Sequence, residues 1–192
     1  TACEGGEEMN FISLTFVFLF PVVVILYWKI PWKHRELFLL AVSYFFYIRE
    51  SSWAGGLLLL TMAVTYLAGL AVEKGRHRKV WLILTVAVCL GLLLGLKYSV
   101  PPVGISFYTF QTMAYVIDVY RGEISAEKSP ASYALFVSFF PQLVAGPIER
   151  AGNLLGQLKE NHTKNRTDLI NGFWLMLRGF YKKVVVADYL AV

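Results

Sequence analysis

The sequence predicts an all-α fold, a multi-pass transmembrane helical bundle of about six or seven helices, since one spanning helix takes about 20 residues. Some of these helices are expected to be short or broken. Of the 192 residues, 57% are hydrophobic and only 16% are charged, whereas a soluble domain has about 45–50% apolar and about 25% charged residues. A soluble globule of this length could not bury so much apolar surface. The composition therefore excludes a soluble domain, a disordered chain and a disulfide-stapled secreted module.

Each predicted helix corresponds to an apolar run in the sequence. The runs cover residues 11–28, 37–48, 53–72, 80–96, 103–120 and 131–145, and a last helix begins at Leu169. The second run is short for a span, so it is re-entrant, shielded by neighbours, or begins deeper in the preceding basic belt. Gly91 and Gly95 give the fourth run a small-residue face that predicts close helix contact. Residues 150–168 form a polar, Asn-rich segment.

The basic residues lie between these runs and give the chain its net charge of +5. Because Lys and Arg collect in cytoplasmic loops, the loops at 29–36, 73–79 and 121–130 are predicted to be cytoplasmic if every run crosses the membrane. The same clustering predicts no nucleic-acid partner. Residues 1–8 differ in composition from the rest and are expected to be a non-native or disordered leader. The membrane domain is therefore predicted to cover residues 9–192.

One predicted helix is unusually polar. Tyr108, Gln111, Tyr115 and Asp118 are three or four residues apart and so share one helix face. Because a polar group without a partner in hydrocarbon costs several kcal/mol, such a cluster needs a reason. The face either lines a polar chamber or forms hydrogen bonds between helices, with Asp118 pairing with Arg121.

A second polar cluster lies between residues 139 and 150, where two prolines and a glycine interrupt the helix. Gln142, Glu149 and Arg150 lie at this break. Irregular backbone at membrane depth is tolerated only inside protein or beside a water-filled cavity. The break therefore either borders such a cavity or is an ordinary helix end at the membrane surface.

The histidines are poor candidates for chemistry. His34, His77 and His162 all lie among charged or polar loop residues, which is typical of solvated side chains. No spacing of His, Cys, Asp or Glu predicts a metal site, and the two cysteines are isolated.

Four motifs, taken in their order along the chain, resemble those of a known protein family. They are GISFYTFQ at 104–111, DVYRG at 118–122, FFPQLVAGPIER at 139–150 and RGFYKKVVVAD at 178–188. Together they resemble the membrane-bound O-acyltransferase family, and most of all its bacterial alginate O-acetyltransferase branch. The likeness runs from about Met9 to Val192.

The resemblance implies a multi-helix enzyme of the bacterial inner membrane that moves an acyl group to a hydroxyl of an exported polysaccharide. The donor would be acetyl-CoA or an acyl carrier, bound as a substrate, and no bound cofactor is expected. The expected partners are membrane lipid, the donor or its carrier protein, and other polysaccharide-modification proteins. The residues expected to line the substrate chamber are Tyr108, Gln111, Gln142, Pro147, Glu149 and Arg150.

The sequence departs from the family at one important point. In the family, a histidine in a helix well downstream of the fourth motif is thought to act as the base, and none of His34, His77 and His162 matches that context. The chain is therefore expected to be the N-terminal part of such an enzyme, a truncated fold without a catalytic residue and inactive alone. Two alternatives stay open: D-alanyl transfer to teichoic acid, and a non-catalytic membrane subunit or small transporter.

Overall fold

A computed structural model of the chain describes residues 14–50, 52–75, 77–97, 104–143, 149–160 and 165–190. Within these ranges every regular element is helical, which confirms the all-α prediction. The chain divides into two compact units, Ile25–Glu160 and Thr1–Val24 with Asn161–Val192, and each is described by itself. The predicted leader at 1–8 and the motif residue Pro147 lie outside the described residues.

The elements follow one another along the chain with short connections. They are α1 (Leu14–Lys29), α2 (Trp32–Glu50), α3 (Ser52–Lys74), α4 (Arg78–Lys97), α5 (Ile105–Arg121), α6 (Pro130–Ser138), α7 (Phe140–Leu143), α8 (Ala151–Lys159), α9 (Arg166–Tyr181), a π-helix (Lys182–Ala187) and α10 (Asp188–Leu190).

The second helix is longer than the apolar run that predicts it. It starts at Trp32 inside the basic belt, which is one of the three explanations for its short run. The guanidinium carbon of Arg35 lies 5.0 Å from the ring centre of Tyr27 and 5.1 Å from that of Trp28. Its Nε also donates a hydrogen bond to the Ile30 carbonyl at 3.1 Å. Because Arg35 is held by rings and a backbone carbonyl, its charge does not end the helix.

Helix α3 is central to the larger unit and packs against α2, α4, α5 and α6. Gly69 permits the closest approach, because a Cβ at this position would lie 2.7 Å from Cε1 of Tyr115. Tyr115 is fully buried, and its ring centre lies 4.7 Å from that of Tyr133. The Tyr133 hydroxyl in turn donates to Oγ1 of Thr65 at 2.8 Å. A glycine therefore lets two buried tyrosines join α3, α5 and α6.

The connection between α5 and α6 is held by side chains. Gly122 ends α5 in the left-handed conformation at φ 76°, which glycine adopts without strain. The Glu73 carboxylate accepts a hydrogen bond from the Ala126 N–H, and the Tyr115 hydroxyl oxygen accepts one from the Glu127 N–H, both at 2.9 Å. The Glu127 carboxylate lies 2.5 Å from Nζ of Lys159. This ion pair links the loop to α8.

The described helices do not bear out every prediction about packing. No described atom lies within 4 Å of a Cβ built at Gly91, so the described part of the chain does not bear out the close helix contact predicted for the face of Gly91 and Gly95. Arg121 lies 3.6 Å from the Glu123 carboxylate rather than pairing with Asp118.

Two described helices are long and apolar enough to cross a membrane, Trp53–Lys74 and Arg78–Leu96. The number of membrane crossings and the sidedness of the loops stay predictions.

The C-terminal segment begins earlier than the hydrophobic pattern indicates. The Asn165 side chain accepts a hydrogen bond from the Thr167 N–H at 3.1 Å and caps α9 at Arg166, ahead of the predicted start at Leu169. Asn is a preferred residue at this position because its side chain satisfies an N–H that has no partner in the helix. No side chain of α9 is buried in the described structure, although Leu175 and Phe173 are large and apolar.

Candidate functional site

The site is built around a break between two helices. Pro141 has no N–H and its ring would collide with the carbonyl four residues earlier, so it cannot continue α6. Phe139 instead takes an extended conformation with ψ 107°, and Pro141 falls at the second residue of α7, where an N–H would lack a helical partner anyway. The predicted helix over 131–145 is therefore two helices.

The break releases two backbone groups that a continuous helix would pair with each other. They are the carbonyl of Phe136 and the N–H of Phe140, which are four residues apart. The Phe140 N–H donates to Oγ of Ser43 on α2 at 3.2 Å. The Phe136 carbonyl accepts a hydrogen bond from Nε2 of Gln111 on α5 at 2.8 Å. Neighbouring helices thus satisfy both groups, as buried backbone requires.

Gln111 connects this break to the next predicted residue. Nε2 of Gln142 on α7 donates to Oε1 of Gln111 at 3.2 Å. Gln111 is buried, and Gln142 is partly buried. The structure therefore joins two residues, one from each polar cluster, that lie 31 positions apart in the chain.

A pocket of about 240 Å³ lies beside Gln142. Among the described residues its lining is Phe139, Pro141, Gln142, Glu149, Asn153, Leu154 and Gln157. One end of the lining is the α6–α7 break, and the other is Glu149 with helix α8. The volume is somewhat below the roughly 300–1,000 Å³ of pockets for drug-sized ligands, so it suits a small group.

The polar side of the pocket is a chain of hydrogen bonds along α8. The Glu149 carboxylate accepts a short hydrogen bond from Nδ2 of Asn153. Oδ1 of Asn153 accepts another from Nε2 of Gln157 at 2.9 Å. The three residues are four positions apart and so share one helix face, while Ala151 and Leu155 on another face are buried. This amphipathic pattern forms α8 within the polar segment 150–168.

The remaining predicted residues occupy other positions. Arg150 is exposed, and its guanidinium lies 3.6 Å from the Glu123 carboxylate, away from the pocket lining. Tyr108 is buried against α2, with its ring edge-on to that of Tyr47 at 6.5 Å. The two phenols are near each other without the geometry of a full hydrogen bond.

The helix face predicted on α5 is real. Tyr108, Gln111, Tyr115 and Asp118 are all buried. Gln111 and Tyr115 form hydrogen bonds to the α6 carbonyl and to the loop before α6. The face therefore serves first as a hydrogen-bonded contact between helices, and only through Gln142 does it reach the pocket.

Sequence reasoning missed Asn153 and Gln157, since the polar segment gave no indication of a helix. It also missed Ser43, which lies alone in an apolar run. Their signal is spacing: Ala151 and Leu155 are four residues apart, and so are Asn153 and Gln157. The exposed side chains of His34 and His77 agree with the interpretation of these histidines as solvated.

Comparison with known proteins identifies relatives of the chain. It is 37% identical over 216 residues to the probable alginate O-acetylase AlgI of Pseudomonas aeruginosa, with 95% of this chain and 41% of the relative covered. The corresponding protein of Pseudomonas putida is 36% identical, with 96% of this chain and 44% of the relative covered. The peptidoglycan O-acetyltransferase of Helicobacter pylori is 28% identical over 81% of this chain and 39% of its own length.

The chain thus spans about two fifths of the length of the curated relatives that it matches. No protein-family profile and no solved structure matches it. The chain is therefore a relative of the alginate O-acetylases, and the resemblance to their branch of the membrane-bound O-acyltransferase family is confirmed.

Proposed function

We propose that this chain is part of a multi-pass membrane enzyme that transfers an acetyl group to hydroxyls of an exported polysaccharide such as alginate. The observation that carries the proposal is the 37% identity to a probable alginate O-acetylase over 95% of the chain. The Helicobacter pylori relative is named a peptidoglycan O-acetyltransferase. The polymer in its name is a different one, but the transferred acetyl group is the same. Transfer of acetyl to a polysaccharide hydroxyl is thus the core of the proposal, and alginate is its narrower form.

The exposure of α4 supports a membrane location. The helix Arg78–Leu96 is strongly apolar, and only 17% of its most apolar stretch is buried. The core helix of a soluble protein would be mostly buried, because an apolar surface of this length facing water is unfavourable. Exposed apolar side chains such as Ile83 and Leu94 would instead face lipid. We propose the bacterial inner membrane as the location, with lipid as a direct partner.

The chemistry indicates what else the enzyme needs. A hydroxyl that attacks an acyl carbonyl must lose its proton, and histidine titrates in the required range. His34 and His77 are exposed and do not line the pocket. We place the base in the part of the relatives that this chain does not match, and we expect the chain alone to be inactive. Acetyl-CoA or an acyl carrier protein would supply the acetyl group. Other polysaccharide-modification proteins would be partners of the enzyme.

The test is a chimera in a bacterium that lacks its own alginate O-acetylase. In the Pseudomonas aeruginosa relative, the part that matches this chain is replaced by this chain, and the chain alone is expressed in parallel. The O-acetyl content of the exported polysaccharide is then measured by proton NMR. We expect acetylated polymer from the chimera and none from the chain alone.

The alternatives give different results. Acetylation by the chain alone would contradict the placement of the base. A chimera that reaches the membrane in normal amount but gives no acetyl ester would contradict the acetyltransferase proposal. D-alanyl esters on teichoic acid in a suitable host would favour the other acyl group. A correctly inserted chimera that forms neither kind of ester would favour a non-catalytic subunit.

A further inference from the structure

Helix α6 is too short to cross a membrane. Its nine residues, Pro130–Ser138, extend about 14 Å, at about 1.5 Å per residue, whereas the hydrocarbon core of a bilayer is about 30 Å thick. The 23 residues of α3, Ser52–Lys74, extend about 35 Å on the same basis and are long enough to span it. Helix α6 therefore reaches only part of the depth that the neighbouring α3 covers.

The α5–α6 loop marks one end of the bundle. The Glu73 carboxylate, one residue before the end of α3, accepts a hydrogen bond from the Ala126 N–H in this loop. Gly122 ends α5 at the same loop. Because α3 is a continuous helix that begins at Ser52, the connection between α2 and α3, with Arg49 beside it, lies at the opposite end.

Contacts with α2 show how far the chain goes before it breaks. Near the start of α6, Oγ of Ser132 donates a hydrogen bond to Oε1 of Glu36 at 2.6 Å. At the start of α7, the Phe140 N–H donates to Oγ of Ser43. Glu36 lies near the start of α2 (Trp32–Glu50), and Ser43 lies near its middle. The break between α6 and α7 is therefore at about mid-height of the bundle.

The chain is back at the α5–α6 loop when α8 begins. The guanidinium of Arg150, the residue before α8, lies 3.6 Å from the carboxylate of Glu123 in that loop. At the other end of α8, Nζ of Lys159 lies 2.5 Å from the Glu127 carboxylate of the same loop. Helix α8 thus lies along the loop from which α6 departs, and both of its ends are at this end of the bundle.

The position of α8 decides from which end the pocket beside Gln142 is open. The lining joins the α6–α7 break to the polar side chains of α8, so the pocket extends from mid-height to the end where α8 lies. There, Asn153 and Gln157 are exposed. In the other direction along α2, the ring of Phe140 stacks on that of Phe46, with ring centres 5.0 Å apart. Exposed polar side chains therefore border the pocket on the side of α8, and an apolar ring pair lies beyond the break.

We propose that residues 130–150 form a re-entrant hairpin, which enters the membrane from the face of the α5–α6 loop, turns at the α6–α7 break and returns to the same face. The apolar run at 131–145 then does not cross, and the pocket beside Gln142 takes its ligand from this face. The basic loops predict that the face is cytoplasmic. Irregular backbone is allowed at this depth because neighbouring helices satisfy its polar groups. The inference rests on the proposed function, because it takes the bundle to span a membrane.

The experiment labels single cysteines from one side of the membrane. The full chain with Cys3→Ser and Cys89→Ala is produced in a bacterial host, and a membrane-impermeant maleimide is applied to spheroplasts and to inverted inner-membrane vesicles. Ser125→Cys reports the face of the α5–α6 loop and Arg49→Cys the opposite face, and both positions are exposed. Gly156→Cys is the test position on α8, where a Cβ meets no atom within 4 Å.

We expect the maleimide to label Gly156→Cys in the preparation that labels Ser125→Cys and not in the one that labels Arg49→Cys. Asn153→Cys, on the pocket side of α8, should follow Gly156→Cys because the pocket opens to the same face. A crossing at 131–145 would instead label Gly156→Cys together with Arg49→Cys. That result would overturn the inference, as would a Gly156→Cys variant that neither preparation labels. An Asn153→Cys variant that neither preparation labels would overturn the opening of the pocket.

Failure of the hairpin and failure of the proposed function give different results. Labelling of Ser125→Cys and Arg49→Cys in the same preparation would show that the bundle does not span the membrane, and would contradict both. Opposite faces for these two positions, with Gly156→Cys on the face of Arg49→Cys, would overturn only the hairpin. A chimera that forms no acetyl ester, while its Gly156→Cys is labelled with Ser125→Cys, would support the hairpin and contradict only the acetyltransferase.

Discussion

The close approach of Gly69 to Tyr115 predicts that replacement of this glycine by alanine destabilises the protein, which is opposite to the usual effect within a helix. Within a helix, replacement of Gly by Ala normally stabilises by about 1 kcal/mol. At Gly69 the added methyl carbon would lie 2.7 Å from Cε1 and 2.9 Å from the hydroxyl oxygen of Tyr115. The ring cannot swing away, because it is fully buried against Tyr133 and Phe136. The Gly69→Ala variant must therefore move the phenol oxygen of Tyr115 away from the Glu127 N–H, from which it accepts a hydrogen bond.

The magnitude follows from three contributions. Overpacking of a filled core costs about 1–3 kcal/mol, and a buried N–H that loses its partner costs about 1–3 kcal/mol. The gain in helix propensity offsets about 1 kcal/mol. We therefore expect Gly69→Ala to lower the free energy of unfolding by about 1–5 kcal/mol.

The chain offers a matched control on the same helix. A Cβ at Gly56 meets no atom within 4 Å, so Gly56→Ala should stabilise by up to about 1 kcal/mol. Both variants are unfolded reversibly in mixed detergent micelles and followed by tryptophan fluorescence and circular dichroism. Equal shifts of the two variants in the same direction would refute the reasoning about Tyr115.

Three further predictions concern the site and the membrane. Lys159→Met should lower the free energy of unfolding by about 1–3 kcal/mol, because the buried Glu127 carboxylate loses its ion-pair partner and keeps the hydrogen bond from the Ser129 N–H. Most of that loss should return in Glu127→Gln/Lys159→Met, and a double variant no more stable than Lys159→Met in denaturant titrations would contradict the pairing. Ser43→Ala removes the hydroxyl oxygen that accepts a hydrogen bond from the Phe140 N–H. In the same titrations it should lower the free energy of unfolding by about 0.5–1.5 kcal/mol, the net contribution of one hydrogen bond, and no change would contradict that contribution. Ile83→Asp places a charge on the exposed face of α4. A charge at mid-membrane costs about 2.5–3.5 kcal/mol for insertion, so an in vitro glycosylation-mapping assay should show reduced insertion. Insertion equal to that of Ile83→Ala would contradict a lipid-facing α4.

The hydrophobic pattern predicted helices well where it is continuous and failed where polar side chains have local partners. Helix α2 begins in a cluster of charges, which a search for apolar runs excludes. Its first turn is stable because Arg35 is stacked on rings and bonded to the Ile30 carbonyl. Neither partner can be inferred from hydropathy.

Helix α8 shows the same limit in a polar setting. Only Ala151 and Leu155 are buried, so its apolar face is too narrow to stand out among the asparagines. Helix α8 is instead held by the ion pair of Lys159 with Glu127, a residue 32 positions away. Long-range partners of this kind are set by tertiary packing.

The candidate site was partly predictable for a definite reason. Pro141 indicates a break in the helix, and the spacing of polar residues on α5 places Gln111 on a buried face. What spacing could not give is the identity of the freed groups, the Phe136 carbonyl and the Phe140 N–H, and hence the link from Gln111 to Gln142. The close contact predicted from the small-residue face is not seen at Gly91 among the described residues, because the spacing indicates where close contact is possible without requiring that a helix packs there.

The O-acetyl content of the polysaccharide exported by the chimera tests the central claim most directly. We predict that the chimera restores acetyl esters and that the chain expressed alone gives none. A correctly inserted chimera that exports unacetylated polymer, or acetyl esters formed by the chain alone, would contradict the account.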